Sequence, residues 1–102
     1  MTNVSTILAA FSCQLSTADI PLAVLERAKL LITDSVGIAI RAWHDVDSTT
    51  CHVAALETLG QVGGPCSVFG SGRRFSAPSA AELNGALIHS LDFDDTYAPG
   101  AL

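Results

Sequence analysis

The chain has 102 residues, 49% of them hydrophobic, with five basic against ten acidic side chains and a formal net charge of −5. That length holds one small domain able to bury roughly 60 to 70% of its unfolded surface, and Arg73-Arg74, the one adjacent basic pair, falls short of the basic stripe that binds nucleic acid. No apolar run approaches the roughly 20 residues that cross a bilayer, and Met1-Thr2-Asn3 lacks the basic start of a secretory leader.

Val4, Ile7, Leu8 and Phe11 follow the i, i+3, i+4, i+7 spacing of one helix face, which predicts a first helix over about residues 5–14. Pro21 suits a first helical turn, and Leu22, Leu25, Ala28, Ile32, Val36, Ala39 and Ile40 then predict one long helix over 21–40. Gly37 sits inside it at a cost of about 1 kcal/mol against alanine, so the helix is expected to bend there or to meet another backbone closely. Asp47 or Ser48 is the expected N-cap of a third helix, Val53, Leu56 and Leu59 its apolar face, and Gly60 its stop.

The segment "GGPCSVFGSGRRFSAPS" changes character, and its turn residues predict a β-hairpin over about residues 66–76. Its glycines lack the strand-to-helix setting of a phosphate loop, so Arg73 and Arg74 read as solvated. Ser79-Ala80-Ala81-Glu82 has the form of a capping box and opens a fourth helix that leads into "LDFDDT". The class is therefore mostly α with one small hairpin, and residues 1–102 read as one unit.

Cys13, Cys51 and Cys66 are odd in number and widely spaced, which excludes a disulfide framework and a zinc site. They are expected to be buried apolar residues in a cytoplasmic protein.

The acidic ending allows four readings. Asp92, Asp94 and Thr96 fall at positions 1, 3 and 5 of a calcium loop, but Tyr97 stands where its sharp turn needs glycine. The same residues spell D-x-D-x-T, which resembles the nucleophile motif of the haloacid dehalogenase superfamily and would make Asp92 a Mg²⁺-assisted phosphoryl acceptor; that motif follows a buried strand, whereas a helix is predicted here. If the helix continues, His89, Asp92 and Thr96 share a stripe that could bind a polar substrate and move a proton. The fourth reading is a solvated set of turn-forming aspartates.

"AAELNGALIHSLDFDDT", residues 80–96, resembles a signature of the MmgE/PrpD family, which includes 2-methylcitrate dehydratase, cis-aconitate decarboxylase and iminodisuccinate epimerase. "IPLAVLERAKLLITDSVGIAIRA" and "CSVFGSGRRFSAPSAA" resemble further family blocks in the same order. The resemblance implies the N-terminal part of a helical domain, with the rest of that domain and an α/β lid domain outside these residues. It also implies proton transfer next to a carboxylate of a di- or tricarboxylate, most closely a 2-methylcitrate dehydratase-like lyase, with no metal or organic cofactor and with a homodimer as the working form. By that match Asp92 and Thr96 are the catalytic and substrate-binding residues, and Asp94 and Asp95 support them. His89 precedes the motif and does not match the histidine that the family places after it. The isolated chain is expected to be inactive, a helical piece whose exposed apolar faces need partners.

Overall fold

The structure, a computed structural model, describes residues 3–96. Its elements are α1 (Val4–Gln14), a 3-10 turn (Thr17–Asp19), α2 (Leu22–Asp45), α3 (Asp47–Thr58), β1 (Val62–Ser67), β2 (Arg74–Phe75) and α4 (Ala77–His89). The fold is mostly α with one antiparallel hairpin. Its contacts group the chain into two compact units, residues 1–30 and 31–102. Among the described residues no helix is long and apolar enough to cross a membrane.

In the first unit, the Asn3 side chain accepts the Ser5 N–H at 3.1 Å and caps α1. The predicted stripe is present, yet none of α1 is buried: Val4, Ile7, Leu8 and Phe11 are 55–68% exposed. Ser16 and Asp19 exchange side-chain bonds with the backbone of the 3-10 turn, Ser16 N–H to Asp19 at 3.2 Å and Ala18 N–H to Ser16 at 3.1 Å. The Pro21 carbonyl then accepts the Val24 and Leu25 N–H groups at 2.9 and 3.1 Å, so Pro21 stands just before α2. There its missing N–H costs nothing.

In the second unit, α2 continues past the predicted end at Ile40 to Asp45. It passes Gly37 uninterrupted, and a Cβ added there would meet nothing within 4 Å, so the expected close backbone contact is absent among the described residues. The buried residues of α2 are Ala39 and Ala42, three apart on one face, whereas Ile32 and Ile40, expected on the core stripe, are 64% and 43% exposed. At 3.6 residues per turn Ile40 points about 100° away from Ala39. Two alanines let the neighbouring elements approach where isoleucine would hold them off.

Val46, not Asp47 or Ser48, occupies the N-cap position of α3, with no side-chain cap bond. The reason is local: the Val46 N–H still donates to Ala42 at 3.0 Å, so the chain leaves one helix directly into the next. Asp47 becomes the first helical residue, where the helix dipole favours a carboxylate. Buried Thr49 donates its hydroxyl to the Ala42 carbonyl at 3.4 Å. Gly60, at φ +67°, ends α3: its N–H meets the Glu57 carbonyl at 3.0 Å and the Gln61 N–H meets Leu56 at 2.8 Å. This paired closure needs a left-handed residue at that position. Leu56 is buried on the predicted face, but Leu59 is 67% exposed.

The hairpin begins earlier than predicted, at Val62, because a bulge sets both Val62 and Cys66 opposite Phe75. At Gly64, φ is +145° and a Cβ would lie 2.5 Å from the Phe75 carbonyl oxygen, so the bulge requires glycine. Phe75, wholly buried, anchors a core with Ala39, Ala42, Leu56, Val68, Ala80, Leu83 and Leu87. Burying each leucine of α4 contributes about 1.5–3 kcal/mol.

Ser76 rather than Ser79 caps α4, accepting the Ser79 N–H at 3.4 Å, with Pro78 in the first turn. Ser79 is buried, and its hydroxyl donates to the Gln61 carbonyl at 3.3 Å. Glu82 is used elsewhere, on His52 at 2.7 Å. The cysteines also differ from expectation: Cys13 and Cys51 are exposed and Cys66 is half-buried.

Candidate functional site

The acidic motif follows α4 as a turn, so the helical stripe of His89, Asp92 and Thr96 does not form. The helix ends at His89, Ser90 closes it by donating its N–H to Ala86 at 2.9 Å, and the Asp92 N–H returns to the His89 carbonyl at 3.0 Å. Asp92 itself has φ +56°, the one left-handed non-glycine among the described residues. Such a backbone costs an ordinary residue about 1–2 kcal/mol, which aspartate reduces by local hydrogen bonding. The turn throws the next residues off the helix axis, and the carboxylate that reaches back to His89 is that of Asp94.

The His89 Nδ1 lies 3.1 and 3.0 Å from the two Asp94 oxygens. The hydrogen bond to Asp94, and then that residue's negative charge, raise the His89 pKa above the ordinary histidine range, with Asp92 adding in the same direction. The hydrogen bond from His89, followed by one from its own backbone, lowers the Asp94 pKa. Sequence spacing could not find this pair, because three-residue helical spacing favours Asp92 and only the reversal at φ +56° selects Asp94.

Asp92, Asp95 and Thr96 are exposed and Asp94 is half-buried. Leu91 packs against the core, whereas Phe93 is 72% exposed. Asp92 thus stands clear of the packed helices while its neighbour Leu91 ties the turn down. Tyr97, which bears on the calcium-loop reading, lies outside the described residues.

His89, Asp92 and Asp94 bring one potential ligand atom each to within 4.8 Å of one another. Exposed carboxylates gather this closely without an ion as well, and the His89 nitrogen is already committed to Asp94. The phosphatase reading fails, since α4 is the element leading into Asp92 and that chemistry needs a strand there.

Arg73 and Arg74 were the cations nearest in sequence, and the fold commits both elsewhere. Arg73 pairs with Glu57 at 2.6 Å and lies 5.9 Å from the Phe75 ring centroid. Arg74 donates to the Pro65 carbonyl at 3.2 Å and the Ser67 hydroxyl at 2.5 Å. A cleft of about 300 Å³ beside the first pair is lined by Trp43, Thr49, Thr50, Val53, Ala54, Glu57 and Arg73, and includes none of the acidic motif.

One structural residue of the signature escaped the sequence reading. The Asn84 side chain accepts the Phe69 N–H at 2.9 Å and donates to the Ser67 carbonyl at 3.2 Å. It binds the end of β1 as a neighbouring strand would, and joins the hairpin to the helix that carries the acidic turn.

Against known proteins, the family model of the MmgE/PrpD N-terminal domain matches residues 6–102. A cis-aconitate decarboxylase-like protein of Aspergillus oryzae is 33% identical over 100 residues, covering 98% of this chain and 20% of its own length. Cis-aconitate decarboxylase of Aspergillus terreus is 34% identical over 94 residues, covering 90% of this chain and 18% of its own. The chain therefore spans about a fifth of the length of these relatives. No solved structure matches it.

Proposed function

The chain belongs to the MmgE/PrpD family, and from that premise we propose that it supplies one wall of a lyase site for di- or tricarboxylates, with Asp92 and Thr96 as the residues that meet substrate. The observation that carries the proposal is the Asp92 turn: a carboxylate on a left-handed backbone, exposed, at the end of a helix fixed to the core by Leu83, Leu87 and Asn84. Losing CO₂ leaves its bonding electron pair on carbon, which an acid must protonate; dehydration instead needs a base to take the proton beside a carboxylate while hydroxide leaves the adjacent carbon and the double bond forms. In this reading Asp92 makes that proton transfer or orients the substrate, and the Thr96 hydroxyl hydrogen-bonds to it. A polyanion also needs cations, and Arg73 and Arg74 are engaged elsewhere, so a second wall carrying them faces this one in the working enzyme.

Cis-aconitate is the first substrate to test, in view of the similarity to a cis-aconitate decarboxylase and a decarboxylase-like protein, and 2-methylcitrate the second. The reading includes a homodimeric, cytoplasmic enzyme. The test is CO₂ release from cis-aconitate by the protein at full length, beside dehydration of 2-methylcitrate. Asp92→Asn is expected to lower turnover at least ~100-fold while leaving the melting temperature unchanged. A lost fold with unaltered turnover per folded molecule would return Asp92 to a structural role.

For the 102-residue chain by itself, the unburied apolar face of α1 favours a second reading, a catalytically inactive helical piece that requires a partner. Turnover of either polycarboxylate by that chain alone would overturn it.

A further inference from the structure

The acidic turn is held at both ends by one residue. The His89 carbonyl accepts the Asp92 N–H at 3.0 Å, and the His89 imidazole holds the Asp94 carboxylate at 3.0–3.1 Å, so Asp92 and Phe93 are spanned by a two-point clamp. Within that span lies the left-handed backbone of Asp92. With Arg73 on Glu57 and Arg74 on Pro65 and Ser67, the group able to take up positive charge beside the motif's carboxylates, among the described residues, is the imidazole of the helix that leads into it.

We propose that His89 is a positioning residue: by clamping the turn it sets where the Asp92 carboxylate is presented, and as an imidazolium it offsets the charge of Asp92 and Asp94 beside a polyanionic substrate. The clamp stands on geometry alone; the charge offset rests on the polycarboxylate reading above. The groups facing the imidazole are Asp94 and Asp92, both of which favour its protonated form. The charged clamp is thus present below His89's raised pKa and is lost as pH climbs through it.

Two measurements on the protein at full length test this. In hydrogen exchange read by mass spectrometry, His89→Ala and Asp94→Asn are each expected to speed exchange of the segment 90–94 by about tenfold, the double variant adding nothing further. His89→Gln keeps a neutral donor and is expected to recover part of that protection. In the pH profile of kcat/KM for cis-aconitate, the unaltered protein should lose activity as pH rises above the ordinary histidine value of about 6.5, and His89→Gln should lose that limb with its melting temperature unchanged. Unaltered exchange in both His89→Ala and Asp94→Asn would overturn the clamp, and a basic limb that persists in His89→Gln would overturn the charge offset. If the unaltered protein turns over no cis-aconitate, the polycarboxylate reading and the charge offset fall together, and the exchange comparison decides the clamp independently.

Discussion

The two compact units have similar hydrophobic patterns and opposite fates. Residues 3–30 carry a regular apolar stripe on α1 with every member exposed, whereas residues 31–96 bury Phe75, Leu83, Leu87 and small alanines around a hairpin. Phe11 is 60% exposed and Phe75 is 0% exposed, though Phe11 follows two alanines and Phe75 follows two arginines. Periodicity states which face of an element is able to be buried; whether it is buried depends on what arrives to cover it.

The strongest way to test this contrast is to remove one ring from each unit. Phe75→Ala is expected to cost about 3–5 kcal/mol in denaturant unfolding of the protein, because it empties the centre of the core. Phe11→Ser in the 102-residue chain should change stability by less than about 0.5 kcal/mol, with reduced self-association by analytical ultracentrifugation as its visible effect. A large loss at Phe11 would mean that α1 is covered in solution, and the comparison would break.

A subtler test lies within the second unit. Asn84→Asp keeps the acceptor for the Phe69 N–H and removes the donor that faces the Ser67 carbonyl, an expected cost of about 1–3 kcal/mol. Asn84→Ala should cost a similar amount, and recovery by Gln would argue against the tight two-bond fit.

The smallest effect concerns pH. Asp94 has its pKa lowered in the folded state, so its pairing contributes above the ordinary aspartate value near 3.9 and is lost as pH falls through the lower folded value. His89 has its pKa raised, so its contribution is complete below about 6.5 and is lost as pH rises through the higher folded value. The pair is therefore whole between about pH 4 and 6.5. Both groups face solvent, so stability should move little across that window. The chemical shifts of the His89 ring, followed by NMR, are the suitable readout, and a midpoint at or below the ordinary histidine value would contradict the pairing.

Much of this was legible in the residues. Gly60 stops α3, the glycine-rich segment makes the hairpin, and the helix preceding "LDFDDT" separates it from phosphatase motifs. What was not legible depends on phase and direction. Ala39 of the predicted stripe is buried, but its core partner is Ala42, which the stripe leaves out, while Ile32 and Ile40 face outward, because small side chains permit close packing that a hydrophobicity count undervalues. Ser76 caps α4 although Ser79 has the more familiar spacing to Glu82; the serine two residues before Pro78 was the usable signal. The His89–Asp94 pair follows from one backbone angle that no local spacing encodes.

The amide of Asn84 also fixes the length of the chain around it. Because it grips Ser67 and Phe69 while Leu83 and Leu87 of the same helix lie in the core, the helix has to reach the hairpin in one rotational phase. Inserting or deleting a single residue between Ser79 and Leu83 would turn Asn84 by about 100° relative to the helix start, so the amide and the helix cap could not both keep their partners. Such a change would also swing the exit of α4, and with it the direction of the acidic turn. An added residue between Ser71 and Gly72, in the loop that joins the strands, alters neither phase and is expected to be tolerated far better.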